Sequence, residues 1–175
     1  DGEEPERIEG ARVTWDYLAA LGIQPTHGRV FLPEEDRPGA DPVLILGHNL
    51  WQRRFAGDPS IVDRSLRIED RVYTVIGVMP PGFDMPLGTE VWMPMAADFA
   101  GLSLREQSSQ DYLMVARLAP GIGFESARSR IDALNQQLLE RHPEVRRGWE
   151  TRIIPLRRQL LHDINGELEP RMMLL

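Results

Sequence analysis

Apolar and polar positions are most tightly organised between Pro42 and Met95, where an apolar run, a short helix, a hairpin pattern and a Pro/Gly exit follow one another closely. Val43–Leu46 is continuously apolar, the pattern of a strand covered on both faces. Asn49 suits the N-cap of a helix over Leu50–Ala56, with Gly57 as its stop. Asp58-Pro59 opens another turn, with Ile61 and Val62 as its buried pair. Ser65–Ile68 and Arg71–Met79 read as strands joined by Glu69-Asp70, a two-residue link where glycine or asparagine is the commoner choice. The second strand is apolar on both faces, which predicts a central place in its sheet. Pro80-Pro81-Gly82 stops it, and Glu90–Met93 is a further strand between Pro86 and Pro94.

The flanks have looser patterns. The stretch from Asp1 to Gly10 is acidic and polar, and Ala11–Val13 is too short to assign. Thr14 can cap a helix over Trp15–Leu21 that stops at Gly22. Ile23-Gln24-Pro25 leaves in extended form, Gly28 permits a turn, and Arg29–Leu32 reads as a short strand. Pro33–Pro42 is a loop whose acids, Glu34, Glu35 and Asp36, read as solvated, since the alternating ligand spacing of a calcium loop is missing. Beyond a linker or loose turn over Ala96–Gln110, Tyr112–Leu118 is a strand. Phe124–Arg141 is the best-patterned helix, with Ala127, Ile131, Leu134 and Leu138 on one face, and His142-Pro143 ends it. Trp149–Pro155 completes a β-α-β unit. Leu156, Leu160, Leu161, Ile164 and Leu168 have helical spacing, and the apolar Met172–Leu175 reads as a helix end or as the first residues of a membrane span.

The 175 residues are 42% apolar and 27% charged, an ordinary globular mixture. A formal net charge of −7 argues against a nucleic-acid partner. There is no cysteine, so no disulfide, thiolate nucleophile or Cys-ligated metal is available. All twenty basic residues are arginine, and without lysine there is no P-loop. No signal peptide is visible and no window of about twenty apolar residues exists.

Candidate chemistry is sparse. His27, His48, His142 and His162 share no metal-ligand spacing; His48 stands out for its place at a strand-to-helix junction, where backbone amides converge. Gly121-Ile122-Gly123 precedes a helix, but the third glycine of a dinucleotide loop is replaced by Ser126, so a simple turn is the better reading. Met79, Met85, Met93 and Met95 offer soft thioethers for Cu(I), yet methionines commonly fill irregular gaps. Arg141, Arg146, Arg147, Arg152, Arg157 and Arg158 read as a solvated edge, with lipid headgroups as the alternative partner. Asp16, Glu90 and Asp132 cannot be brought together by sequence. The residues therefore predict no catalytic group, no cofactor and no defined metal site. Arg53, Arg54 and the Met79–Met95 exit are the candidates for partner contact.

The segments GIQPTHGRVFLPEED, LWQRRFAGDPSIV, YTVIGVMPPGF and VWMPM, followed by ARLAPGIGFESARSRIDAL, resemble the MacB-like periplasmic core domain of bacterial ABC-transporter permeases. Two departures are His48, where a small or hydroxylated residue is usual, and Glu69-Asp70 in place of Asn-Gly. The resemblance implies an α+β fold with a porter-like lobe of β-α-β units (1–41 and 96–162, lacking its first strand and helix). It also implies an inserted small lobe (42–95) and a lead-in to a truncated membrane helix (163–175). The role implied is an extracytoplasmic, non-enzymatic relay in export, lying between two membrane helices of an inner-membrane permease. Its implied partners are a cytoplasmic ABC ATPase, a second permease copy and a periplasmic adaptor protein. The alternative is a periplasmic small-ligand or metal-binding sensor domain.

Overall fold

The computed structural model describes residues 7–96, 114–141, 153–158 and 172–174. The chain divides into two compact units, Asp1–Ala100 and Gly101–Leu175. The fold is α+β, as the resemblance implied.

In the first unit, β1 (Gly10–Val13), β2 (His27–Gly28), β3 (Val43–Leu46), β4 (Ser65–Ile68), β5 (Arg71–Val78) and β6 (Val91–Pro94) form one mixed sheet. Its order is β1-β6-β3-β5-β2, with β4 also paired to β5. β1 runs parallel to β6 and β3 parallel to β5, while β3/β6, β4/β5 and β2/β5 are antiparallel. The continuous apolar run of β3 has a simple cause. Leu44 and Leu46 enter a core with Leu50, Trp51, Ile61, Tyr73, Val75 and Val91, while Val43 and Ile45 enter another with Val13, Leu18, Phe31, Ile76 and Trp92. Successive strand residues point to opposite faces, so a strand with a core on each side is apolar throughout. β5 is central as predicted, although Val72 near its start is exposed.

Between Leu44↔Val75 and Ile45↔Gly77 the β3/β5 register shifts by one residue. The shift keeps Leu46 and Val78 in one core and leaves Ile76 in the other. Beside it, Gly28 pairs with Gly77. A Cβ on Gly28, whose φ is +75°, would collide with the Ile76 carbonyl, and one on Gly77 would lie 2.8 Å from the Arg29 carbonyl oxygen. Two glycines meet here because the backbones approach too closely for side chains.

Several boundaries differ from expectation for local reasons. Helix α1 spans Tyr17–Leu21 and not Trp15–Leu21. The Trp15 amide donates instead to Asp36, and the Thr14 hydroxyl donates to Asp16 and does not cap the helix. Gly22 does close α1, at φ 73°. Helix α2 spans His48–Phe55 with Gly47, not Asn49, as its N-cap. The Gly47 amide donates to the Glu90 carbonyl at 2.7 Å, and its own carbonyl accepts from Trp51 at 3.0 Å, which sets the boundary there. α2 ends on two left-handed residues, Ala56 and Gly57. Arg29–Leu32 is not a strand, because the chain leaves β5 once the Arg29 amide has donated to the Ile76 carbonyl. The Glu69-Asp70 link forms as predicted, with Glu69 at φ 53°.

The second unit contains β7 (Val115–Ala116), α3 (Phe124–Arg141), β8 (Ile153–Pro155) and β9 (Met172–Leu174). The strands form a parallel sheet in the order β7-β9-β8. The two strands predicted to flank α3 thus share a sheet, with β9 between them. Met172–Leu174, expected to lead into a membrane helix, is therefore strand. Among the described residues no helix is long and apolar enough to cross a membrane. The linker after Ala96, Tyr112, the His142-Pro143 stop, Trp149–Arg152 and the helical spacing at Leu160, Leu161, Ile164 and Leu168 lie outside the described residues.

The expected grouping of 1–41 with 96–162 does not follow the sheet. β1 and β2 hydrogen-bond to β6 and β5, so both belong with the strands of 42–95. The compact division falls at 100/101.

Candidate functional site

The junction of β3 and α2 opens on a cleft of about 270 Å³, walled opposite by residues 82–84 and 88–90. Gly47, His48 and Asn49 bring the start of α2 to it, and helix amides favour negative charge there. Glu9, Asp84 and Glu90 line the same cleft, so carboxylates already occupy the region an anion would seek. Glu90 is engaged by Arg53 at 2.8 Å and by the Glu9 amide at 3.4 Å. Asp84 accepts from the Gly88 amide at 3.3 Å, and the Thr89 hydroxyl donates to the Pro86 carbonyl at 2.6 Å, which closes the loop on itself.

His48 lines the cleft, but its Nδ1 is buried and, among the described residues, without a hydrogen-bond partner. Its ring meets Trp51 edge-on at 5.5 Å, and His27 lies against the same indole at 5.0 Å. His27 Nδ1 is 3.2 Å from the Thr26 hydroxyl, whose own proton is directed to the Val78 carbonyl. That pair is not arranged as base and nucleophile. His142 and His162 lie outside the described residues.

The methionines are divided. Met79 belongs to the core of Val43 and Ile45, and Met93 to that of Leu44 and Leu46, so the sheet separates them; Met85 and Met95 are half-buried. Among the described residues no group of three or more His, Asp or Glu is placed to hold a metal ion. Gly121 takes a left-handed turn, and a Cβ on Gly123 would meet nothing within 4 Å among the described residues, so no close backbone approach of the dinucleotide kind is built there. Asp16 accepts from Thr14, Glu90 pairs with Arg53 and Asp132 lies 4.0 Å from Arg128, each carboxylate having its own neighbour. Arg157 and Arg158 are exposed on a helical turn and Arg141 is exposed at the end of α3; Arg146, Arg147 and Arg152 lie outside the described residues.

One candidate contact residue and two loop acids have structural duties. Arg53 ties α2 to the approach of β6 through Glu90, while Arg54 is exposed. The acidic loop is not simply solvated. Glu35 receives both terminal nitrogens of Arg29, at 2.9 and 2.6 Å, and the Leu32 amide at 2.8 Å. Burial pulls its pKa upward, but these bonds and the Arg29 charge outweigh that and hold it below the usual carboxylate range. Asp36 accepts from the amides of Trp15 and Ala96. Two indoles are also tied to backbone seven positions away: Trp51 Nε1 donates to the Asp58 carbonyl and Trp92 Nε1 to that of Met85. The Tyr17 hydroxyl is buried without a hydrogen-bond partner among the described residues, and burial raises its pKa. A polar residue between turn signals was the only trace that Asp36 left in the sequence, since its partners are 21 and 60 positions away.

The model of the MacB-like periplasmic core domain family matches residues 1–134. No curated protein matches significantly. Among solved structures, the chain is similar to the periplasmic region of MacB from Actinobacillus actinomycetemcomitans, with a TM-score of 0.53 and 11% sequence identity. The similarity covers 91% of this chain and 66% of that one, slightly under two thirds of its length.

Proposed function

The chain belongs to the family of MacB-like periplasmic core domains of ABC-transporter permeases, and from that premise we propose that it relays ATP-driven movement across the periplasmic face of an export permease. The cytoplasmic ATPase drives the motion through the rest of the permease, a second permease copy supplies the moving counterpart, and an adaptor protein or the exported substrate receives it. One observation carries this reading above the sensor alternative. The first unit is a single sheet with a packed core on each face, tied together by Arg53–Glu90, Arg29–Glu35 and Asp36. Close-packed interiors have low compressibility and pass displacement on without absorbing it.

The absence of cysteine in this chain makes site-specific spin labels practicable. In the full-length permease with its ATPase, labels on exposed Gln52 and Arg67 report the interior of the first unit. A Gln52 label on each of two copies reports movement between them. The relay requires an unchanged Gln52–Arg67 distance and a Gln52–Gln52 distance that differs between nucleotide-free and ATP-bound states. Distances indifferent to nucleotide would overturn it, and a change driven instead by an added small ligand would favour a sensor.

A further inference from the structure

The parallel neighbours β1 and β6 end together, since Val13 is in register with Pro94. The ladder continues one step further, with the Met95 amide donating to the Val13 carbonyl at 2.9 Å. Beyond that step the two chains part. β1 leads into α1 through Thr14 and Trp15, and β6 leads through Ala96 toward the boundary at Ala100/Gly101. At the point of parting both outgoing amides reach for one side chain. Asp36 Oδ2 accepts from the Trp15 amide at 2.9 Å, and Asp36 Oδ1 accepts from the Ala96 amide at 2.7 Å. Neither strand can satisfy these donors once it has left its neighbour, and a carboxylate bonded to backbone N–H is among the stronger hydrogen bonds available. Asp36 comes from the loop after Phe31, a residue of the core beneath β1 and β6, and Glu35 next to it is fixed by Arg29. The loop that carries the carboxylate is therefore held on both sides of it: the core at Phe31, the ion pair at Glu35, and the return into β3.

We propose that Asp36 is a latch that fastens the chain leaving the first unit to the β1–α1 junction, so that displacement passes between the outgoing chain at Ala96 and the sheet without slack. The inference rests on the relay reading for its purpose, but the latch itself is local and is tested separately. Hydrogen exchange is measured on the full 175-residue chain as wild type, Asp36→Ala and Asp36→Asn. The Asn variant keeps one carbonyl acceptor and guards against an Ala variant that does not fold. In Asp36→Ala the amides of Trp15 and Ala96 exchange about tenfold faster or more, while those of Leu44, Ile45 and Val75 keep their protection, because local opening is set by local bonds. Asp36→Asn speeds one of the two amides and leaves the other closer to wild type. Unchanged exchange at Ala96 overturns the latch, and so does an equal loss of protection in β3 and β5, which marks a general stabilising role. In the full-length permease, Asp36→Ala diminishes the nucleotide-driven change in the Gln52–Gln52 distance. An undiminished change overturns the transmitting role, whereas a wild-type permease with no such change overturns the relay reading.

Discussion

In residues 7–96 the strands β3, β5 and β6 are four to eight residues long; β3 and β6 are buried throughout, and β5 is buried at all but Arg71, Val72 and Thr74. Among the described residues of the second unit, β7 and β8 are two and three residues long, and Val115, Ala116, Ile153 and Ile154 are only half-buried. Its 18-residue helix α3 buries Ala127 but leaves Leu134 53% exposed. The first unit gains its order from interlocking, because the Asp36 carboxylate and the Arg53–Glu90 pair fasten segments that are distant in sequence. The described part of the second concentrates its regular structure in a long helix, whose hydrogen bonds are local. Substitutions should therefore spread through the first unit and stay local in α3.

The largest effect should come from Trp92→Ala. Trp92 is fully buried, packs at 5.3 Å from Phe83 and donates to the Met85 carbonyl. Its truncation should cost about 3–5 kcal/mol in urea denaturation followed by far-UV circular dichroism. A cost no larger than that of a surface change would break the comparison.

Glu35→Gln should have an intermediate effect, about 1 kcal/mol at neutral pH, because it removes the charge from the Arg29 pair while keeping its shape. Since folding lowers the Glu35 pKa, its contribution is present above the unfolded carboxylate value of about 4.3 and is lost as the pH falls through the lower folded value. The melting-temperature gap between wild type and variant should therefore close on acidification from pH 7 toward pH 3. A gap that widens would give the pair the opposite sign.

The smallest effect belongs to Leu134→Ala on α3, within about 0.5 kcal/mol by the same denaturation assay, since the side chain is more than half exposed. A cost comparable to that of Trp92→Ala would show Leu134 to be covered in solution and would remove the contrast between the units.

Legibility followed the range of the signal. Val43–Leu46 announced burial on both faces, the two-faced β5 announced a central place, and the period of Ala127, Ile131, Leu134 and Leu138 announced α3, although Leu134 is exposed, because alternation and helical repeat are properties of neighbouring residues. Cap positions were less legible. Thr14 and Asn49 both have the chemistry of a helix start, yet tertiary bonds to Asp36 and Glu90 set the boundaries elsewhere. The candidate site was legible only as a strand-to-helix junction at His48. That Glu9, Asp84 and Glu90 would face that junction was not, because they arrive from segments about 35 to 40 positions away on either side.

The sequence by itself determined which segments are strands with two apolar faces, where α3 runs, and through its ordered segments the family to which the chain belongs. Only the tertiary structure decided that β1 and β2 join the sheet of residues 42–95, that Met172–Leu174 is a strand between β7 and β8, that Gly28 must meet Gly77, and that Asp36 holds Trp15 and Ala96. The reason is physical. Periodicity records which way a side chain points, whereas a hydrogen bond between residues 60 positions apart leaves no local trace until the core has brought them together.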